Sequence, residues 1–366
     1  MLVTNNLTTR LSELRETAAW QNYVYARERV IAMKELEAER LVGSGAPSDY
    51  WAEELAGFEY LLDASPLIVD KLRHHSYHVT GLKVYDYRTH KDKYESQLRS
   101  KRQALIDVAG GTELLVPEPR ALGGFGFEFD GEVYNLDTLK YFEALLALDR
   151  GAILNELRTT TQRKAVWEIG AGWGGLAYQF KTVCPNVTYI ISDFPELYLF
   201  SAVYLMTVMP EARVRFYGEV QPGDEMTDWE SYDFIFLPHT RLDAVAPERL
   251  DLTLNTVSFQ EMTTGQVEAY VERAHELHCP YLYSLNRERS LYNPDLLGVR
   301  TLIERYYWTH EIEVLPVSYV HMLDRVEDIS RAKRAKLRAK WLTQGTLTPK
   351  NDLDYKHIVG WRRAIT

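Results

Sequence analysis

Short apolar runs alternate with amphipathic segments from residue 165 onward. After most of these runs, apolar residues recur at helical spacing, and this alternation predicts strands separated by helices. Strands connected by helices are typical of a parallel sheet with right-handed crossovers. With two late strands paired antiparallel at its edge, the pattern predicts a seven-stranded sheet. The predicted strands cover 165–169, 188–192, 233–237, 251–256 and 281–285, the late strands cover 311–317 and 357–361, and an extra candidate of uncertain position covers 213–217.

The first 135 residues have a different character, because helical periodicity among many charged residues dominates there. Asp130 and Gly131 lie between alternating apolar residues and predict a β-hairpin. We therefore divide the chain into a mainly helical N-terminal region, 1–135, and an α/β domain, 136–366. Helices are predicted over 9–42, 49–64, 66–77 and 94–108 in the first part, and over 136–157, 265–277, 296–307 and, with a strongly basic composition, 326–342 in the second.

A glycine-rich turn follows the first predicted strand of the α/β domain. Glycines lack a Cβ atom, so the backbone can turn sharply and approach a ligand beside the free amides of a helix start. Gly170, Gly172 and Gly175 fit the G-x-G-x-x-G pattern of dinucleotide-binding folds. Glu168 with Gly170, Gly172 and Gly174 fits the E-x-G-x-G-x-G pattern of class I methyltransferases, which share that fold. The turn therefore predicts a nucleoside cofactor but does not distinguish a dinucleotide from S-adenosylmethionine.

Two acidic residues narrow the identity of this cofactor. Glu168 ends the first strand, where a carboxylate can receive the ammonium of S-adenosylmethionine but would repel a pyrophosphate. Asp193 ends the second strand, at the spacing at which an acid meets ribose hydroxyls in both kinds of site. Asp193 therefore supports a nucleoside, and Glu168 favours S-adenosylmethionine.

Composition and charge exclude several classes of function. The formal net charge of −10 opposes a broad nucleic-acid surface, which needs clustered basic residues. The two cysteines, Cys184 and Cys279, lie far apart, which predicts buried thiols in a reducing compartment rather than disulfides or a metal site. The apolar run at 197–209 is too short to span a bilayer, and no signal-peptide pattern opens the sequence. We expect a cytoplasmic protein without membrane or nucleic-acid partners.

Several motifs together resemble a family of sugar O-methyltransferases found among the genes for glycosylated natural products such as polyether antibiotics. The resemblance runs from about residue 51 to 362 and implies a class I methyltransferase fold with S-adenosylmethionine as donor. It implies a deoxysugar hydroxyl as acceptor, on a glycoside or a nucleotide-sugar, and places His239 near the adenine. The motifs are RHHSYHVTG, EPRALGGFGFEFDGEVYNLDTLKYFEALL, WEIGAGWGGLAYQF, DFIFLPH, DLTLNTVSFQEM and YLYSLNRE.

Methyl transfer to a hydroxyl is aided by a general base, and three residues are candidates for it. Similar plant O-methyltransferases have a histidine after the fourth strand, but the corresponding residue here is Gln260, which cannot take a proton. Glu261 beside it is a base, a hydroxyl acceptor or simply a carboxylate favoured at a helix start. His74 and His75, near one helix end of the N-terminal region, are the first choice for a base supplied by that region.

Acceptor binding is assigned to polar residues at the strand ends. Gln260, Asn286 and Arg287 are expected to contact the acceptor, and no metal is expected, because no convincing set of carboxylates accompanies Glu261. We expect the N-terminal region to dimerise and to cover the site.

Two alternative functions remain open. The same glycines also fit an NAD(P)-dependent oxidoreductase. Gln260 and the long helical region also fit a non-catalytic partner subunit that binds S-adenosylmethionine.

Overall fold

The computed structural model describes residues 2–40, 46–289, 295–315 and 354–364, and the basic helix predicted over 326–342 lies outside this part. The strands in the described part form a two-stranded hairpin and an eight-stranded sheet. The strands are β1 (Phe127–Phe129), β2 (Glu132–Tyr134), β3 (Lys164–Ile169), β4 (Val187–Asp193), β5 (Val214–Phe216), β6 (Phe234–Pro238), β7 (Leu252–Thr256), β8 (Tyr281–Arg287), β9 (Tyr307–Ile312) and β10 (Tyr355–Arg362).

The sheet is mostly parallel, in the order β5-β6-β4-β3-β7-β8-β10-β9. The first six strands in this order, β5, β6, β4, β3, β7 and β8, run parallel to one another. Strand β10 runs antiparallel to β8 and β9. The carboxyl ends of the parallel strands therefore share one edge, where ligands bind in open α/β sheets. The predicted α/β fold with a Rossmann-like sheet is confirmed, as is the hairpin, whose turn residues Asp130 and Gly131 both have positive φ.

The sheet differs from the prediction in two respects. It has eight strands instead of seven, because the extra candidate at 213–217 pairs with β6 as the edge strand β5. Strand β9 begins at Tyr307, earlier than the predicted 311. Tyr307 is fully buried and its hydroxyl donates to the Cys279 carbonyl over 3.2 Å, so the strand starts where this side chain enters the core.

Helices cover both faces of the sheet and make up most of the N-terminal region. The predicted helix over 9–42 is two helices, because Thr17 ends the first and caps the second by accepting from the Trp20 amide over 3.3 Å. The helices are α1 (Leu2–Arg15), α2 (Ala18–Glu37), α3 (Asp49–Gly57), α4 (Pro66–Val69), α5 (Leu72–His75), α6 (Tyr77–Thr80), α7 (Asp92–Ala109), α8 (Leu136–Arg150), α9 (Leu154–Thr159), α10 (Gly175–Val183), α11 (Tyr198–Val208), α12 (Thr264–Glu276) and α13 (Val299–Ile303).

The N-terminal helices share their hydrophobic core with the sheet. The buried face of α2 packs against α11, and one cluster of buried residues extends from Tyr23 to Val359. Both cysteines are buried free thiols, as predicted. Within the described ranges, no helix combines the length and apolar character needed to cross a membrane. The division at residue 135 and the dimer stay predictions.

A buried ion pair joins the N-terminal region to the sheet. Lys101 of α7 lies 2.7 Å from Glu143 of α8, and both side chains are almost completely buried. The second Glu143 oxygen lies 3.7 Å from Nε2 of His357 on β10, whose Nδ1 is 2.8 Å from the Tyr283 hydroxyl. These contacts hold α7, α8 and the antiparallel strand in one arrangement, because each charge depends on its partner.

We expect Glu143→Leu to lower the free energy of unfolding by about 3–5 kcal/mol, because it leaves the Lys101 ammonium buried without its carboxylate. The double variant Lys101→Met/Glu143→Leu removes both charges and should recover much of this loss. Urea denaturation of the three proteins measures the effect. Equal stability of Glu143→Leu and the wild type would contradict this account.

Candidate active site

The glycine-rich turn joins β3 to α10 at the carboxyl edge of the sheet. Gly170, Gly172 and Gly174 have φ values of 71°, 59° and 86°, a region that side chains with a Cβ rarely adopt. A Cβ at Gly170 would also lie only 2.3 Å from Oγ of Ser258. The turn therefore requires glycine both for its backbone conformation and for the close approach of the turn that follows β7.

Asp193 at the end of β4 holds this turn in place. Its carboxylate accepts from the Gly172 amide and from the Phe194 amide, each over 2.8 Å. Burial raises the pKa of the Asp193 carboxyl to about 7. The two acids and three glycines predicted to bind the cofactor thus lie at neighbouring strand ends.

Two adjoining cavities open beside this turn. The larger has a volume of about 690 Å³ and the smaller about 110 Å³. Gly170 and Asp193 line both cavities, Gly172 lines the smaller one and His239 the larger, whereas Gly174 lines neither. The residues that line both are Trp51, Gly170, Asp193, Phe194, Glu261 and Met262.

Aromatic side chains form one side of the larger cavity. The rings of Phe194 and His239 lie 4.3 Å apart between centroids, and Tyr270 lines the same cavity. The His239 amide donates to the Asp193 carbonyl over 2.9 Å, which brings this side next to the Asp193 carboxylate. A flat aromatic ligand with a polar group toward Asp193 fits such a surface.

The smaller cavity is lined by Lys140 and by the glycine-rich turn. Burial opposes the charge of Lys140, but Asp137, 2.9 Å away, and the neighbouring Tyr141 and Tyr355 together raise the pKa of the ammonium. Arg73 pairs with the other Asp137 oxygen over 3.1 Å and stacks over the Trp173 ring at 3.5 Å. The Lys140 ammonium of α8 therefore places a positive charge beside the turn. Arg73 packs on Trp173, which is part of the turn.

Glu168 is buried at the end of β3 and lines neither cavity. One carboxyl oxygen accepts from the Tyr189 hydroxyl over 3.0 Å, and the other has no hydrogen-bond partner among the described residues. Burial raises the pKa of the Glu168 carboxyl to about 8. A buried carboxyl with a free oxygen is ready to accept from a cationic group.

Glu261 lies in the short turn after β7, at the junction of the two cavities. Burial raises the pKa of its carboxyl to about 8, although the nearby side chains of Trp51, Arg287 and Lys140 favour its ionised form. A carboxyl that titrates near neutral pH inside a cavity has the properties of a general base.

His74 and His75, the first choice for the base from the sequence, lie outside both cavities in this structure. His75 is 2.6 Å from the Tyr60 hydroxyl, and the His74 ring packs on Phe125. Neither lines either cavity, and burial lowers the pKa of both imidazoles. The short helix α5 buries Arg73 beside Trp173 and turns both histidines away from the cavities.

The three predicted acceptor-binding residues line neither cavity. The Gln260 side chain accepts from the Arg287 amide over 2.9 Å, and the Asn286 side chain accepts from the Gln260 amide over 3.3 Å. Asn286 in turn donates to Asn255 over 2.8 Å. These bonds fasten the turn after β7 to β8, and the assignment of the three residues to the acceptor stays a prediction.

Sequence reasoning missed Trp51 and Lys140. Both residues lie far from the glycine-rich turn along the chain, and only the packing of α3 and α8 brings them to the cavities. In the described part of the chain, no group of three or more His, Cys, Asp or Glu residues could hold a metal ion.

No protein-family model and no curated protein sequence matches the chain. Similar solved structures include phosphoethanolamine N-methyltransferase 2 from Haemonchus contortus in complex with S-adenosyl-L-methionine, with 12% identity and a TM-score of 0.34 over 64% of this chain and 62% of that chain. The YcgJ protein from Bacillus subtilis has 13% identity and a TM-score of 0.36 over 60% of this chain and 98% of that chain. Precorrin-6y C5,15-methyltransferase from Geobacter metallireducens has 12% identity and a TM-score of 0.32 over 58% of this chain and 87% of that chain. The chain thus spans less than two thirds of the Haemonchus protein.

The buried Glu168 carboxyl makes stability depend on pH. It stays protonated in the folded protein up to about pH 8, whereas an unfolded glutamate ionises near about pH 4.3. The folded chain therefore binds more protons between these values, and stability falls as the pH rises through them. The variant Glu168→Gln cannot ionise. As the pH rises through this interval, we expect the difference between its free energy of unfolding and that of the wild type to grow in favour of the variant by up to about 1.4 kcal/mol per pH unit.

Urea unfolding at a series of pH values measures this difference. The exposed Glu248, changed to Gln, is the matched control and should leave the pH dependence unaltered. Parallel pH curves for Glu168→Gln and the wild type would show that Glu168 ionises normally in the folded protein.

Proposed function

We propose that this chain is an S-adenosylmethionine-dependent O-methyltransferase that methylates a hydroxyl of a deoxysugar during natural-product biosynthesis. The observation that carries the proposal is the placement of Glu261, a carboxyl with a pKa of about 8, where the two cavities beside the glycine-rich turn meet. A base at this junction can serve an acceptor in one cavity while the donor extends along the turn.

The residues present fit S-adenosylmethionine. Asp193 would receive the ribose hydroxyls, and the aromatic side formed with His239 would receive the adenine. The ammonium of Lys140, which lines the smaller cavity, suits the carboxylate of the charged amino-acid end. The sequence assigns the ammonium of that end to Glu168, whose free oxygen lies outside the lining of both cavities. When bound, this cofactor supplies an electrophilic methyl group on a sulfonium.

The chain itself contributes orientation and proton removal. Glu261 would take the proton of the acceptor hydroxyl, and a base with a pKa of about 8 is partly ionised at neutral pH. Trp51, which lines both cavities, would exclude water from this position. Holding two reactants in line contributes on the order of 7–11 kcal/mol to catalysis, so positioning is the larger task.

The lining of the larger cavity supports a sugar as the acceptor. The larger cavity, about 690 Å³, would hold the adenosine on its aromatic side and the acceptor beside Trp51, and its volume lies within the range of roughly 300–1,000 Å³ that small-molecule sites occupy. Its wall combines the Trp51 ring, on which a sugar face can stack, with the side chains of Ser48, Thr263 and Gln266. The resemblance of the chain's motifs to sugar O-methyltransferases supports the same acceptor.

We expect S-adenosylhomocysteine to bind the purified protein, and Asp193→Ala to weaken this binding at least tenfold because the ribose loses its partner. Isothermal titration calorimetry measures both affinities, with NAD and NADP titrated in parallel. Binding of a nicotinamide dinucleotide in place of S-adenosylhomocysteine would overturn the proposal in favour of an oxidoreductase.

We expect methyl transfer from labelled S-adenosylmethionine to at least one member of a panel of deoxysugar glycosides and nucleotide-deoxysugars. Glu261→Gln should lower this rate by about 10²–10⁴-fold, because the hydroxyl loses its base. Its affinity for S-adenosylhomocysteine should stay close to that of the wild type. Binding of the cofactor without turnover on any sugar would contradict the acceptor assignment and favour a non-catalytic partner subunit.

A further inference from the structure

An ion pair within α8 holds the Lys140 ammonium beside the smaller cavity. The Lys140 Nζ atom lies 2.9 Å from Oδ1 of Asp137, three residues earlier on the same helix. It also lies 4.8 Å from the centre of the Tyr141 ring, and both Lys140 and Tyr141 line the smaller cavity with the glycine-rich turn. Asp137 lines neither cavity, so a ligand in the smaller one meets the cation of this pair and not its acid.

A second cation, from the N-terminal region, holds Asp137. Arg73 of α5 lies 3.1 Å from the other Asp137 oxygen, and its Nε atom lies 2.8 Å from Glu118. Glu118 in turn accepts from the side chain of Asn135, the residue that caps α8, over 3.0 Å. The side chains of Arg73, Glu118 and Asp137 are all buried. Both Asp137 oxygens are therefore occupied, and the carboxylate cannot rotate without breaking an ion pair that water does not replace.

The same guanidinium also contacts the glycine-rich turn. The Arg73 Cζ atom lies 3.5 Å from the centre of the Trp173 ring, and Trp173 belongs to that turn. The start of α10 approaches this ring so closely that a Cβ at Gly175 would lie 2.2 Å from it. Because Arg73 contacts both the turn and Asp137, one side chain sets the position of the turn relative to the Lys140 ammonium.

The Lys140 ammonium has donors left for a ligand. An ammonium carries three N–H donors, and among the described residues Asp137 is its only hydrogen-bond partner. Asp137 divides its charge between Lys140 and Arg73, and the second acid of the cluster, Glu118, pairs with Arg73. A carboxylate in the smaller cavity would therefore find a cation that is held in place but only partly neutralised.

We propose that Asp137 is a positioning residue of the donor site: held by Arg73, it fixes the Lys140 ammonium where the carboxylate of S-adenosylmethionine binds. This inference rests on the proposed function. It gives the N-terminal region a part in donor binding through Arg73, which contacts the turn and Asp137 but lines neither of the two cavities. The preference of the site for a nucleoside with a carboxylate then depends on Asp137 through Lys140 alone.

Two nucleoside ligands test this role without a known acceptor. S-adenosylhomocysteine carries the carboxylate, and its decarboxylated analogue has a hydrogen there but keeps the adenosine, the thioether and the amine. The ratio of their affinities, measured by calorimetry at neutral pH, reports on the carboxylate, whereas general damage to the site weakens both ligands alike. We expect the wild type to prefer S-adenosylhomocysteine. Lys140→Met should lose about 10- to 100-fold of this preference, because a hydrogen bond between charged groups is removed.

Asp137→Asn keeps the shape of the side chain and removes its charge. We expect the preference to fall by about three- to tenfold, because the ligand must then immobilise a lysine that Asp137 no longer holds. In the double variant Lys140→Met/Asp137→Asn the preference should equal that of Lys140→Met, since Asp137 acts only through the ammonium. Asp149→Asn is the matched control, because it removes an exposed charge from the same helix and should leave the preference unchanged.

Arg73→Lys gives an independent measurement, should Asp137→Asn fail to fold. Lysine keeps the positive charge but lacks the fork that reaches both acids, so the preference should fall here as well. An unchanged or stronger preference in Asp137→Asn or in Arg73→Lys would overturn the positioning role, as would a further loss in the double variant, and the donor assignment would stand. If S-adenosylhomocysteine does not bind the wild type, the proposed function itself fails.

Discussion

Burial of carboxyl groups at one edge of the sheet is the constraint on which the site depends. Glu168, Asp193 and Glu261 follow or end three adjacent strands, and burial raises the pKa of each carboxyl to between about 7 and 8. Each is therefore close to its titration point at neutral pH, where a nearby cation or hydrogen-bond donor decides its charge. Carboxyl groups of this kind attract cationic ligands once they are ionised, and they hydrogen-bond to hydroxyl groups in either protonation state.

Backbone geometry and buried charges make this edge possible. Amides of the glycine-rich turn satisfy Asp193, and the turn approaches Ser258 so closely that a side chain at Gly170 would not fit. Arg73 and Lys140 supply positive charge around the buried acid Asp137, next to the same turn. Lys140 also attracts the charges of Glu168 and Glu261, so one cation of α8 lies near two acids of the site.

The N-terminal region completes the site. Its helix α3 supplies Trp51 to the lining of both cavities, and its helix α7 is tied to α8 through the buried pair of Lys101 with Glu143. Because one hydrophobic core runs through both parts of the chain, displacement of the helices would disturb the cavities as well as the core. The sequence does not reveal that the cavities depend on these helices, since residues of the two parts come into contact only in the folded protein.

Local patterns in the sequence determined the parallel strands, the glycine-rich turn and the hairpin at Asp130 and Gly131, because each depends on short-range periodicity and on backbone preferences of a few residues. They also placed Glu168 and Asp193 at strand ends. The tertiary structure decided what sequence patterns cannot encode locally: that β5 joins the edge, that Gln260 fastens a turn, and that Glu261 and Trp51 line the same two cavities. Those outcomes depend on which distant surfaces exclude water together, and burial, not residue type, sets the chemistry of a carboxyl group.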